Sequence, residues 1–149
     1  PTPCAMVQGA CFAVKREWVD RVGPFDAARF FLYWEETDFC RRVRGAGGEI
    51  LYCPDLTCAH LGGASIDDGS GQDVERFWQG FYAFQAKHEG PLRAALLRGA
   101  LSMGLLSEYV ICLIKQTQLG PDASSELTQY LAQVRRRVAF HLRGQRGDR

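Results

Sequence analysis

Several features that define common protein classes are missing from this chain of 149 residues. It has six cysteines, but no two of them are separated by only two residues, so the spacing of a zinc site is absent. The chain is too long and too poor in cysteine for a small disulfide-bonded scaffold, and we expect its cysteines to be reduced, buried and cytosolic. No uncharged apolar run reaches the length of a membrane span, because the nearest candidate, 99–114, is short and contains Glu108.

Charge is nearly balanced overall but uneven along the chain. The formal net charge is +1, which by itself argues neither for nor against a nucleic-acid partner. The stretch 135–149, however, carries six arginines and a single acidic residue, Asp148. Such a stretch favours a polyanionic surface, for which anionic lipid headgroups are the simplest candidate, and a solvated, disordered end is the alternative.

The first half of the sequence alternates between strand and helix patterns. Strands are predicted over 6–14, 50–53 and 56–60, and helices over 15–22 and 36–44. Gly23 follows the first helix at the position where a terminating glycine is common. The stretch 62–72 is rich in glycine, serine and aspartate, which predicts a loop.

The second half of the sequence reads as helix only. Helices are predicted over 73–89, over 92–119 as one helix or a broken pair, and after a cap at Ser124 or Ser125. In the first of these, four aromatic residues spaced by three and four positions predict one packed face: Phe77, Trp78, Phe81 and Tyr82. The organisation is therefore an α/β part followed by a helical tail.

Three acidic residues, Glu35, Glu36 and Asp38, open the second predicted helix directly after a run of aromatic residues. Acids in a first turn complement the helix dipole, and Asp38 can pair with Arg41 or Arg42, so a structural role is one interpretation. The other is catalytic, because a carboxylate beside aromatic rings has a raised pKa and can act as a general base.

A series of short motifs runs in a fixed order from residue 9 to residue 65. They are Gly9-Ala10, Lys15-Arg16, Gly23, Phe25-Asp26, Phe30-Phe31, Tyr33, Glu35-Glu36, Asp38, Arg42, Tyr52, Pro54, His60, Gly63 and Ser65. In this order they resemble bacterial family-2 glycosyltransferases, especially rhamnosyltransferase-like members, and the segment FYAFQAKHEGP resembles the aromatic-rich helix that follows in that family. Each motif is weak alone, but the ordered set, within residues 5–100, is specific.

The resemblance implies a GT-A type α/β fold. Residues 1–72 would form the acceptor-side, catalytic part of the domain, without its N-terminal nucleotide-binding half, and residues 73–149 a helical C-terminal extension. It further implies inverting transfer of a sugar from a nucleotide sugar to a saccharide or lipid-linked acceptor in cell-envelope polysaccharide synthesis. We expect a cytoplasmic protein, peripheral on the inner face of the cell membrane, with no nucleic-acid partner and no transfer activity of this chain alone.

The resemblance also assigns roles to single residues. The family's base, an aspartate, corresponds to Glu36, with Glu35 as the alternative, and one extra methylene matters because a misplacement of about an ångström can cost about a hundredfold in rate. Arg42 matches the family's arginine, Asp38 orients the helix, and both are included in the catalytic set. Substrate-binding positions are expected at Gly9, Ala10, Trp34 and Ser65.

A divalent metal, Mg²⁺ or Mn²⁺, is expected only in a full-length parent. In the family it is held largely by a D-x-D motif that precedes the region present here, and this sequence has no D-x-D at the end of a strand. Asp67 and Asp68 follow His60 rather than preceding it. His60 matches a histidine that helps bind this metal in some relatives, and a structural role is its alternative.

Two functions of other classes stay open from the sequence. The first is a metal-dependent hydrolase that uses Glu35, Glu36, Asp38 and His60, and it is weakened by having a single well-placed histidine. The second is a non-catalytic module, peripheral to a membrane or binding a partner, whose active surface is the helical tail.

Overall fold

The computed structural model describes residues 1–60, 72–118 and 121–143. Its elements in chain order are β1 (Thr2–Cys4), α1 (Arg16–Val22), α2 (Glu35–Gly45), β2 (Ile50–Tyr52), α3 (Gln72–Glu89), α4 (Pro91–Gln118) and α5 (Pro121–Arg143). The chain forms two compact units, Pro1–Phe84 and Gln85–Arg149, whose boundary lies inside α3. The sequence placed the division between residues 72 and 73, before the aromatic residues of α3 that pack in the first unit.

The first unit is built around the apolar face of α2. Phe39, Cys40 and Val43 of this helix are buried, and the rings of Phe12 and Phe25 pack against Phe39 at centroid distances of 6.0 and 5.4 Å. The predicted apolar face of α2 is therefore buried, and each end of the helix lies within one residue of its predicted position.

The turn from α2 to β2 depends on a close backbone approach at Gly48. A Cβ atom at this position would lie 2.6 Å from Val43 Cγ1 and 2.7 Å from Trp18 Cζ2. Only glycine lets the chain pass between α1 and α2 at this point, and β2 then pairs antiparallel with β1, with Cys4 opposite Ile50.

Two predicted strands are wrong. The segments 6–14 and 56–60 have no strand structure, whereas the strand predicted at 50–53 is confirmed as β2. The described sheet has two strands only, and neither segment joins it. An apolar run becomes a strand only when its backbone finds a pairing partner, and these runs find none among residues 1–60, 72–118 and 121–143.

The second unit is a helical hairpin. α4 is one continuous helix of 28 residues, which decides between the single helix and the broken pair. α5 begins at Pro121, a residue favoured at the first helical position, so the predicted caps at Ser124 and Ser125 are wrong because both lie inside the helix. Arg135–Arg137 and Arg143 are helical as well, rather than part of a disordered end, and residues 144–149 lie outside the described ranges.

Contacts between side chains hold the hairpin antiparallel. Gln116 Nε2 donates to Thr128 Oγ1 at 2.9 Å, and the Tyr130 hydroxyl donates to Glu108 Oε1. By length and composition alone, α4 could cross a membrane, and almost none of its apolar stretch is buried. The apolar run 99–114, which is short and contains Glu108, is only the central part of this helix, which extends beyond it at both ends.

Candidate functional site

The backbone is strained immediately before the acidic residues. Tyr33 and Trp34 both have positive φ angles, 67° and 73°, and Trp34 is the residue that precedes the first turn of α2. A non-glycine residue in this region costs roughly 1–3 kcal/mol and persists only where the surrounding structure imposes it. Nothing in the spacing of the sequence could have revealed this strain, which orients the first turn of α2.

Aromatic packing holds the strained turn in place. The Trp34 ring lies 5.6, 5.4 and 5.2 Å from the rings of Phe77, Phe81 and Phe84, measured between centroids. At Gly80, between these residues, a Cβ atom would lie 2.7 Å from Trp34 Cδ1. The face of α3 that the sequence predicted to be a packing surface therefore presses on the turn that carries the candidate site.

Glu36 has one carboxylate oxygen fixed and the other free. The backbone N–H of Gly9 donates to Glu36 Oε1 at 3.2 Å. Glu36 Oε2 is buried and accepts no hydrogen bond from any residue in the described ranges. Because most buried polar atoms in proteins have a partner, a buried oxygen without one marks a place where a donor from a ligand or from solvent fits.

Glu35 is the second candidate carboxyl group. Burial raises its pKa, and the adjacent negative charge of Glu36 adds to the rise, while a hydrogen bond from the backbone N–H of Glu35 itself opposes it. Its Oε2 and the indole Nε1 of Trp34 are also buried without a partner in the part of the chain that the structure describes. Three consecutive residues, 34–36, thus each present one unsatisfied polar atom.

Asp38 and Arg42 form a buried ion pair beneath these carboxyl groups. Arg42 Nε lies 2.8 Å from Asp38 Oδ2, and the Asp38 side chain is fully buried. The same guanidinium donates to the carbonyl oxygens of Val22, Gly23 and Pro24, where α1 ends. These contacts are structural and tie α2 to the end of α1. The catalytic assignment of the two residues stays a prediction.

The other predicted site residues have mixed outcomes. Gly9 meets Glu36, and Ala10 is its neighbour, with the Ala10 carbonyl oxygen 3.9 Å from Cys58 Sγ. His60 is exposed, and residues 1–60, 72–118 and 121–143 contain no group of three or more potential metal ligands. They do not form a metal site by themselves, so the expected divalent ion stays a prediction. Ser65 lies outside the described residues.

The six cysteines are free thiols, but they are not uniformly buried. Cys40 and Cys112 are buried as expected, whereas Cys11 and Cys58 are exposed, so the expectation is wrong for these two. A hydrogen bond with the Cys11 side chain is the main cause that raises the pKa of Cys58. Two thiols from distant parts of the sequence therefore lie side by side, next to the Gly9–Ala10 segment.

Comparison with known proteins relates the chain, though not this site in particular, to glycosyltransferases. The chain is similar to two N-acetylglucosaminyl-diphospho-decaprenol L-rhamnosyltransferases of Mycobacterium tuberculosis, from strains CDC 1551 / Oshkosh and ATCC 25618 / H37Rv. Each is 31% identical over 105 residues, 68% of this chain and 34% of the relative. The chain thus spans about a third of the length of these relatives. No family model and no solved structure matches. The chain is a distant relative of glycosyltransferases, which supports a glycosyltransferase-like function in general.

Proposed function

We propose that this chain is the acceptor-side, catalytic part of an inverting glycosyltransferase of the family-2, GT-A type. It would help to move a sugar from a nucleotide sugar to a saccharide or lipid-linked acceptor in cell-envelope polysaccharide synthesis. The observation that carries the proposal is the buried, unpartnered Oε2 of Glu36 beside an Oε1 that Gly9 holds. The distant similarity to rhamnosyltransferases supplies the reaction class.

Inverting transfer is a single displacement that needs a base on the acceptor side. Glu36 Oε2 accepts the proton of the acceptor hydroxyl while the hydroxyl oxygen bonds to the anomeric carbon of the donor sugar. The bond between that carbon and the diphosphate oxygen breaks, and the nucleoside diphosphate leaves with the electron pair. The hydrogen bond from Gly9 keeps the carboxylate from rotating, so Oε2 faces the hydroxyl in one orientation.

Asp38 and Arg42 act in this proposal as positioning residues. Asp38 is buried in the same first turn of α2 as the acidic pair, and Arg42 links it to the carbonyl groups at the end of α1. Glu35 is the alternative base, because burial raises its pKa and so makes its carboxylate a stronger proton acceptor. Any divalent ion would neutralise the leaving diphosphate, and no step above depends on it.

The test uses a chimera, because the chain spans about a third of the relatives. The matched 105-residue segment of the mycobacterial rhamnosyltransferase is replaced by the matched segment of this chain, and release of nucleoside diphosphate is measured with that relative's acceptor. Glu36→Gln should lower turnover by roughly two to four orders of magnitude with donor binding intact, since it keeps the shape and removes the base.

Two further substitutions and the isolated chain complete this test. Glu17→Gln changes an exposed glutamate of α1 and should leave turnover unchanged. The isolated chain should release no nucleoside diphosphate. Loss of turnover in Glu35→Gln with normal turnover in Glu36→Gln would assign the base to Glu35. A chimera that folds and binds the nucleotide sugar but transfers nothing would contradict the proposed function.

A further inference from the structure

The outer face of α4 is an exposed apolar stripe. Ala94, Ser102 and Cys112 of this helix are buried, and α4 packs against α5. On the opposite side, side chains three, four or seven positions apart form a continuous row, which we call the outer stripe. It consists of Leu92, Leu96, Met103, Leu106, Val110 and Ile114, each between 46% and 73% exposed. The row contains no charged residue.

A groove lined by arginines runs along one side of this stripe. It has a volume of about 540 Å³ and is lined by Tyr109, Leu113 and Gln116 of α4 and by Arg135, Arg136 and Arg143 of α5, among others. None of the residues that line it within 72–118 and 121–143 is acidic. Ala132 and Ala139, which have small side chains, also line it.

Leu113 joins the groove to the outer stripe. It lines the groove, is 39% exposed, and lies three positions after Val110 on the surface of α4. An apolar row thus passes directly into a cationic groove. This is the chemistry of a phospholipid at an interface, where acyl chains and a negatively charged phosphate meet.

The hairpin contacts decide between a helix that crosses the bilayer and one that lies on it. Tyr130 is opposite Glu108, and Arg98 is close enough to His141 to help lower its pKa. Arg135–Arg137 lie between Tyr130 and His141 on α5. They are therefore beside the part of α4 between Arg98 and Glu108, which is the middle of that helix. If α4 crossed the bilayer with α5 packed on it, these arginines would be near the bilayer centre, where charged side chains are strongly unfavourable.

We propose that the α4–α5 hairpin lies in the interface of an anionic membrane, with the outer stripe among the acyl chains and the groove of Arg135, Arg136 and Arg143 holding a phospholipid phosphate. The apolar row supplies insertion and the guanidinium groups supply attraction to anionic lipid. Since arginine presents a fork of donors that matches phosphate oxygens, the groove favours a headgroup over a diffuse charged surface.

Flotation of the full chain with vesicles tests this proposal. We expect binding to vesicles of phosphatidylcholine and phosphatidylglycerol at low salt, release at high salt, and little binding to phosphatidylcholine alone. Replacing Arg135, Arg136 and Arg143 together by glutamine should weaken binding about a hundredfold. The control replaces three exposed arginines of the first unit, Arg16, Arg29 and Arg44, by glutamine as well. This control should weaken vesicle binding by less than about tenfold.

A second pair of substitutions tests the outer stripe. Met103→Gln with Val110→Gln should abolish binding to anionic vesicles while the helical circular dichroism stays unchanged, because both side chains are exposed. Equal binding to neutral vesicles that resists high salt would show a spanning helix and overturn the proposal. Equal losses of binding in the two arginine triple variants would also overturn the proposal. So would a wild-type chain that binds none of the vesicles under any condition.

Discussion

At the scale of single residues, Arg42 joins two helices of the first unit through several contacts at once. The carbonyl groups at the end of α1 have no partner within that helix, and Arg42 satisfies three consecutive ones, those of Val22, Gly23 and Pro24. It also neutralises Asp38, whose side chain is fully buried. One side chain thus terminates one helix and balances a charge inside another.

Arg42→Ala should therefore be severely destabilising. It leaves Asp38 buried and unpaired, and breaking a buried pair in this way costs about 3–5 kcal/mol. Arg16→Ala is the matched control, because it removes an exposed i,i+4 pair with Asp20 whose loss costs about 0–1 kcal/mol. Urea denaturation followed by tryptophan fluorescence measures both, and Asp38→Asn added to Arg42→Ala should recover part of the loss. Similar values for the two arginines would refute the structural role.

Residue spacing predicted only those contacts of this site that join residues close in sequence. The pairing of Asp38 with an arginine one turn later, and the acidic first turn, follow from helical geometry. The contacts of Arg42 with residues about 20 positions away and of Glu36 with Gly9, 27 positions away, do not, because spacing along the chain carries no information on which distant backbone groups meet. The site residues were therefore predictable as candidates, but their geometry was not.

At the scale of elements, the helices were predictable from local signals, whereas the strands depend on distant parts of the chain. Helices α1, α2 and α3 are close to their predicted bounds because apolar periodicity and terminating residues such as Gly23 are local signals. The strands expected at 6–14 and 56–60 require partners elsewhere in the chain, and apolar content alone does not supply them. The start of α5 was missed since two serines competed with Pro121 as the start signal.

The packing of α3 on the strained turn predicts the effect of Gly80→Ala. The new Cβ would meet Trp34 Cδ1 at 2.7 Å and the Tyr33 carbonyl oxygen at 3.1 Å, so either α3 or the turn must move. We expect a loss of about 1–3 kcal/mol, the usual cost of overpacking, measured by urea denaturation.

Gly99→Ala in α4 is the control for Gly80→Ala. A Cβ at Gly99 meets no atom of the described residues within 4 Å, so the better helix propensity of alanine should stabilise the protein by up to about 1 kcal/mol. If Gly80→Ala left stability unchanged or raised it, as Gly99→Ala should, the close approach of α3 to Trp34 would be contradicted.

At the scale of the whole molecule, two units with separate buried residues predict two unfolding transitions. All three tryptophans, Trp18, Trp34 and Trp78, lie in the first unit, whereas α4 and α5, which contain most of the helical residues, lie in the second. Fluorescence and far-ultraviolet circular dichroism should therefore give urea curves with different midpoints.

Variants assign these two transitions. Gly80→Ala should shift mainly the fluorescence curve, and Val134→Ala, which truncates a fully buried side chain of α5, mainly the dichroism curve. Coincident curves in the wild type and in both variants would show a single cooperative unit instead.

The neighbouring thiols of Cys11 and Cys58 also make the first unit accessible to selective chemical labelling. Both are exposed, whereas Cys4 and Cys53 are half-buried and Cys40 and Cys112 buried, and the pair links two segments that are 47 positions apart in sequence. A reagent with two thiol-reactive arms, or a single mercury atom, can bind both sulfurs at once and is thereby held without a flexible tether. A spin label or heavy atom attached in this way would lie two residues from Gly9 and two from His60, and would sense movements of both segments.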